Sequence, residues 1–314
     1  MKIPDNAKRR KRILLVASSI LVLLIIFVLL YSRFIIPPIP LPVPVGERKV
    51  DEFGTLQIYP TVYGGREWFI NMQDPFDDEA VSINSGITLD QQSNGSWGVN
   101  SSEVRIRVDT PPGQEEWKNV EMTGYVKMIS PTTLTADSSE FSDQDEESED
   151  GDSLDPHLTW RARGGRHSDM VPCEGTALNG GLYLDGKVSW KKEIWHTGGY
   201  TTARGVSEIP NSIINKWIGW KTVMYNLKND SSVKMESYLD NEANNKWVKV
   251  SDVEDNGEWY ADTSDDEFYS ADCSKEKDYI ITNSGPIATF RADNLIFDFK
   301  NLSIREIKPP PSIQ

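Results

Sequence analysis

Glu103-Val104-Arg105-Ile106-Arg107-Val108 alternates polar and apolar residues without a break, and this stretch decides the fold class. Successive side chains of an extended strand point to opposite faces, so Glu103, Arg105 and Arg107 share one face and the three aliphatics the other. The pattern recurs outward. Val120 to Ile129 puts Glu121, Thr123, Tyr125 and Lys127 together, and Leu158 to Arg163 places Arg161 and Arg163 on a common face. Further strands are expected at Val188 to Trp195, Trp217 to Asn226, Val233 to Leu239, Trp247 to Val250 and Asn294 to Ile307. Turn signals fall between them at Asn179-Gly180-Gly181, Asp185-Gly186, Asn256-Gly257 and Ser284-Gly285-Pro286. Helical periodicity is almost absent, with one short helical segment expected near Pro210 to Lys216. Many short strands with such turns predict an all-β domain of two packed antiparallel sheets over residues 50–308.

Upstream, Lys8-Arg9-Arg10-Lys11-Arg12 runs directly into the uncharged, apolar stretch from Ile13 to Tyr31. As a helix that stretch is about 28 Å long, close to the roughly 30 Å hydrocarbon core of a bilayer. Cations concentrate on the cytoplasmic flank of a span, which leaves 1–12 inside as a basic tail. The apolar run exceeds the ~7–15 residues of a cleaved signal, and Tyr31-Ser32-Arg33-Phe34 is not a small-x-small cleavage site. The expectation is one N-terminal transmembrane helix, a signal anchor within residues 13–36 in contact with the lipid bilayer. The cell membrane is the expected location, with the C-terminal domain extracellular. Prolines at nearly every second position from Pro37 to Pro44 make 37–49 an extended stalk. The segment 135–156 carries ten acidic residues and no Lys or Arg, and reads as a solvated loop within the domain; 309–314 is a tail.

The net charge is −15, and residues 1–12 hold six cations and one Asp, so the remainder carries −20. Such a field repels phosphate backbones, and no nucleic-acid partner is expected. Two cysteines, Cys173 and Cys273, both fall on the exported side, where a disulfide between them is expected; free buried thiols are the alternative. Sequons occur at Asn94, Asn100, Asn229 and Asn301. His157, His167 and His196 lack metal-site spacing, so no metal and no cofactor is expected; a structural calcium ion in the acidic run has no ligand register to support it.

Trp217-Ile218-Gly219-Trp220-Lys221-Thr222-Val223-Met224-Tyr225-Asn226, the strands from Val233 and Trp247, and the closing Phe297 to Ile307 resemble the second half of a concanavalin A-like jelly roll. The strand Trp160 to His167 also resembles that of uncharacterised archaeal and bacterial surface proteins. Within this superfamily, Ser102-Glu103-Val104-Arg105 and Gly198-Gly199-Tyr200 resemble, with departures, two strands of the alginate-lyase-like polysaccharide lyases: His196 stands in place of a Lys and Thr202 in place of a Gln. That resemblance implies β-elimination on an anionic uronate polymer. Arg105 and Arg163 would neutralise the carboxylate, His167 or His196 would take the α-proton, and Tyr200 would protonate the leaving oxygen.

Neither the paired carboxylates of a glycoside hydrolase nor a Gly-x-Ser-x-Gly elbow is present. The non-catalytic reading is a polysaccharide-binding protein, in which aromatic faces stack on sugar C–H surfaces and polar groups bond hydroxyls. Its candidate residues are Arg105, Arg107, Tyr125, Lys127, Arg161, Arg163, Arg166 and Trp195, with Trp160, Trp190 and Tyr200 as further aromatic candidates. Most of the ten tryptophans must nonetheless be core. The third reading is a structural or adhesive surface protein without a sugar site.

Overall fold

A computed structural model describes residues 49–132, 155–165, 175–195, 199–227, 230–261 and 273–311. The expected anchor at 13–36, the acidic loop up to Leu154, Arg166, His167, Cys173 and His196 lie outside the described residues. Among the described residues no helix is long and apolar enough to cross a membrane.

Residues Glu47–Gln314 form one compact unit. Its strands are β1 (Glu67–Phe69), β2 (Val81–Ile83), β3 (Leu89–Gln91), β4 (Trp97–Asp109), β5 (Val120–Pro131), β6 (His157–Gly164) and β7 (Ala177–Tyr183), then β8 (Lys187–Glu193), β9 (Arg204–Glu208), β10 (Ile218–Leu227), β11 (Ser232–Asp240), β12 (Val248–Asp255) and β13 (Ile287–Glu306). Every pairing between them is antiparallel. The chain is all-β, as its alternating sequence requires.

Expectation and structure differ in how the two sheets relate. They are layers of one continuous ladder, joined by the long strand β13. Its first part, Ile287–Asp293, runs between β4 and β6; from Leu295 onward it runs between β5 and, in turn, β4 and β1. The switch falls at Asn294, whose φ of 51° lies in the left-handed region that Asn tolerates better than most residues. From that switch one layer continues as β6-β7-β8-β9 and the other as β5-β10-β11-β12.

The two layers pack face to face. Trp160 of β6 meets Trp220 of β10 with ring centroids 4.4 Å apart, and Phe290 of β13 sits edge-on to Trp160 at 5.0 Å. Both tryptophans are buried within the main apolar cluster. On the far side, Lys192 of β8 points into the sandwich. Its Nζ lies 2.9 Å from Asp255 Oδ2 of β12 and donates to the Tyr279 carbonyl at 2.8 Å, so the buried charge is paired. The edge strands β9 and β12 are tied by Ser251 Oγ donating to Gly205 O and Ser207 Oγ to Val250 O, each at 2.6 Å. That contact covers two edges that would otherwise offer unpaired backbone to another chain.

Asn179-Gly180-Gly181 is not a turn but the middle of β7. A Cβ on Gly180 would lie 2.6 Å from Thr222 Cγ2 and 3.1 Å from the Trp190 ring, so the glycine is there to let the layers approach. Asp185-Gly186 does turn, between β7 and β8, with Gly186 at φ 94°. Residues 210–217 form bends and turns without a helix.

Candidate functional site

Alternation on two layers creates two outer polar faces, and the expected site residues divide between them. On the layer of β4, β13, β6, β7 and β8, the residues pointing away from Trp160 include Arg105, Arg107, Arg161, Arg291 and Asp293, with Tyr200 bridged to the end of β8. Their charges are largely spent on one another. Arg105 Nη2 is 2.9 Å from Asp293 Oδ1 and 3.2 Å from Glu103 Oε1; Arg291 Nε donates to Asp293 Oδ2 at 2.6 Å; Arg161 Nη2 is 3.0 Å from Glu193 Oε2. His157, whose Nε2 is 3.5 Å from Asp293 Oδ2, stacks on Tyr183 with centroids 5.1 Å apart. Burial alone would raise the Asp293 carboxyl, but Arg291, Arg105 and His157 hold it below the usual carboxylate range. Burial, with the Glu193 charge adding, pushes the Tyr200 hydroxyl up to about 12.

Two expected site residues belong to the interior instead. Arg163 is 0% exposed, with a left-handed φ of 65°. Its guanidinium donates to the carbonyls of Lys118 and Ile281 and to the side-chain oxygens of Asn226 and Asn119, pinning loops rather than facing a ligand. Trp195 is buried against Ile194 and Ala261, so its ring cannot stack on a sugar. Trp160 and Trp190 are equally buried.

Tyr125 and Lys127 lie on the outer face of the other layer. Along that face β5 and β13 pair Glu121 with Arg305, Thr123 with Ser303, Tyr125 with Lys300 and Lys127 with Asp298. At one end the face is closed. Lys221 Nζ lies 2.8 Å from Glu121 Oε1 and donates to Thr123 Oγ1 at 2.8 Å; Arg305 Nη2 is 2.7 Å from Glu121 Oε2. The stretch 49–60 crosses above them, with Ile58 N donating to the same carboxylate at 3.0 Å. Burial opposes the Glu121 charge, but Lys221 and Arg305 more than offset it and hold its pKa at about 2.

The other end is open and aromatic. Eight of the ten tryptophans are buried; the two that are not, Trp217 and Trp247, both stand here. Trp217 precedes β10, and Trp247 leans back over Gly219 from the loop before β12. Gly219 is required beneath it, because a Cβ would lie 2.5 Å from the Trp247 ring and 3.0 Å from that of Tyr125. Asn245, at φ 69°, fixes the indole: its Oδ1 accepts from Trp247 Nε1 at 3.1 Å and from Leu56 N at 2.8 Å. The rings of Tyr125 and Trp247 are 6.0 Å apart at 53°. Lys300 Nζ sits 4.5 Å from the Trp217 ring centre and 5.8 Å from that of Tyr125, and Lys127 Nζ sits 6.0 Å from Trp217. Lys127 is paired with Asp298 at 2.7 Å.

Two partly exposed indoles beside the largely buried Tyr125 ring, with ammonium groups and one carboxylate among them, suit a ligand with both C–H faces and hydroxyls. Trp217, Trp247, Lys300 and Asp298 were not singled out from the sequence. Alternation with Tyr125 and Lys127 signals the last two only once the partner strand is known. No grouping of His, Cys, Asp and Glu among the described residues could hold a metal ion.

No protein-family model matches the chain, and no curated protein matches it. Solved structures of similar layout include peanut lectin with a nine-residue peptide, at 8% identity, TM-score 0.38, covering 78% of this chain and 99% of that one. A galectin-like protein of unknown function from Bacillus subtilis gives 8% identity and TM-score 0.42, covering 78% and 100%. Winged bean acidic lectin complexed with methyl-α-D-galactose gives 5% and 0.39, covering 78% and 100%.

Proposed function

We propose that this chain is a membrane-tethered extracellular protein that binds carbohydrate through the patch formed by Tyr125, Trp217 and Trp247. The observation that carries the reading is the sorting of the tryptophans. Eight of the ten tryptophans are buried, and the two that are partly exposed both gather around Tyr125 on one sheet face, next to two lysines. Aromatics exposed singly are ordinary, whereas aromatics gathered in one patch mark an interaction site. The tether and the external location rest on the sequence of residues 1–49, and a Cys173–Cys273 disulfide belongs to the same reading. Protease digestion of sealed membrane vesicles, with mobility compared under reducing and non-reducing conditions, tests both.

The full-length chain on a glycan array tests the binding. Retention of at least one glycan class is expected, falling about tenfold or more in Trp217→Ala and in Trp247→Ala, since stacking on one ring is worth on the order of 1–2 kcal/mol. Both variants should keep the wild-type circular dichroism spectrum. Failure to retain any glycan would refute the reading and leave a structural or adhesive role. The elimination reading has less support: Arg105 is committed to an ion pair with Asp293, and Arg163, the second arginine it needs at the carboxylate, is buried and bonded to the carbonyls of Lys118 and Ile281.

A further inference from the structure

We propose that the aromatic patch selects an anionic saccharide, with Lys300 Nζ as the group that receives the sugar's carboxylate or sulfate. The inference rests on the glycan-binding reading above and concerns which sugars that site takes.

The charges at the patch are unevenly satisfied. Lys127 has Asp298 at 2.7 Å, and Lys221, beyond Trp247, has Glu121 at 2.8 Å. Lys300 has aromatic rings only: Trp217 at 4.5 Å and Tyr125 at 5.8 Å, with no carboxylate within ion-pair distance among the described residues. Burial lowers its pKa, and no neighbouring charge offsets that. A half-buried ammonium held between two ring faces is oriented before any ligand arrives, so little side-chain entropy is lost when an anion binds it. An anion there would recover part of the hydration that burial has removed.

The chain's −15 net charge argues the other way at long range. That field is screened beyond about 8 Å at physiological ionic strength, whereas a contact between Nζ and a bound anion is not. The distant charge therefore slows the approach of an anionic polymer, and the local ammonium decides which sugar stays.

The geometry also orders the ligand. A pyranose packed on the exposed part of Trp217 would bring its exocyclic carboxylate within reach of Lys300, whose Nζ lies 4.5 Å from that ring centre. A neutral hexose in the same place would offer a hydroxymethyl group, which an ammonium bonds more weakly than a carboxylate.

The test compares a glucuronate-containing oligosaccharide with its carboxyl-reduced, neutral counterpart, and both with a sulfated oligosaccharide, by calorimetry on the full-length chain. The uronate or the sulfated sugar is expected to bind about tenfold more tightly than the neutral one, and the relative affinity of the two acids identifies the anion. Lys300→Met should weaken the anionic sugars about tenfold and the neutral sugar by much less, so that the preference for the acids disappears; Lys300→Arg should keep the preference. Equal binding of acid and neutral forms by wild type, or an unchanged preference in Lys300→Met, would overturn the inference while leaving glycan binding intact. Binding of none of the three would overturn the anionic selection, and the glycan array decides separately whether the glycan-binding reading falls with it.

Discussion

Replacing Glu121 with Gln should destabilise the fold at neutral pH and hardly at all in strong acid. Glu121 is 0% exposed, and its carboxylate is shared between Lys221 and Arg305, themselves buried. In the folded chain its pKa falls from 4.5 to about 2, because those two cations outweigh burial. At about 1.4 kcal/mol for each tenfold change in proton affinity, that difference is worth about 3 kcal/mol.

The sign follows from the depressed folded-state pKa. The stabilisation is fully present above the unfolded value near 4.5 and disappears as pH falls toward 2. Glu121→Gln keeps the shape and an oxygen for Lys221 but leaves two buried cations with only the more distant Asp51 as counter-charge, which costs on the order of 3–5 kcal/mol. Urea unfolding at pH 7 should show a loss of about 3 kcal/mol or more, and scanning calorimetry a fall in Tm of roughly 6–12 °C at about 2–4 °C per kcal/mol. Repeated at pH 3, the gap between wild type and variant should shrink to about half. A gap under about 1 kcal/mol at pH 7, or one that stays constant from pH 7 to pH 3, would refute the assignment of Glu121 as the counter-charge.

Gly180→Ala should cost about 1–3 kcal/mol by urea unfolding, because the new methyl would sit 2.6 Å from Thr222 Cγ2 in a fully packed seam; an unchanged midpoint would mean the layers can separate there freely. Arg163→Met should cost on the order of 2–5 kcal/mol and leave sugar affinity unchanged, since it strands the buried carbonyls of Lys118 and Ile281 without touching the aromatic patch; lost affinity in a folded variant would restore Arg163 to the binding set.

Much of the fold is legible in the alternation. The residues on each side of Val104, Met122 and Leu158 take the faces that period two assigns them. β7 escaped because its two glycines carry the signal of a turn, while the reason for Gly180 is a ring and a threonine methyl on other strands. Of the candidate site, Tyr125 and Lys127 were legible from their own strand. Their neighbours were not: Lys300 and Asp298 arrive through a strand more than 170 residues further along the chain, and which tryptophans stay exposed is decided by what packs over them. Arg163 was misread for a related reason. It continues the alternation of Arg161, but its backbone turns left-handed, which takes the side chain off the face its sequence position implies. The rule of two holds only while the strand stays extended.

β13 follows β4, β5 and β6 in the chain, and each of them lies against it in the finished fold. Neither layer can close its ladder until residues 287–306 have been made. At roughly 5–20 residues per second, the interval between the synthesis of β4 and that of β13 is on the order of 10–40 s, during which the hydrophobic faces of the earlier strands have no permanent cover. The chain is thus a protein whose last strand is its keystone: until it is made, the faces that β4, β5 and β6 turn toward it stay open to other chains.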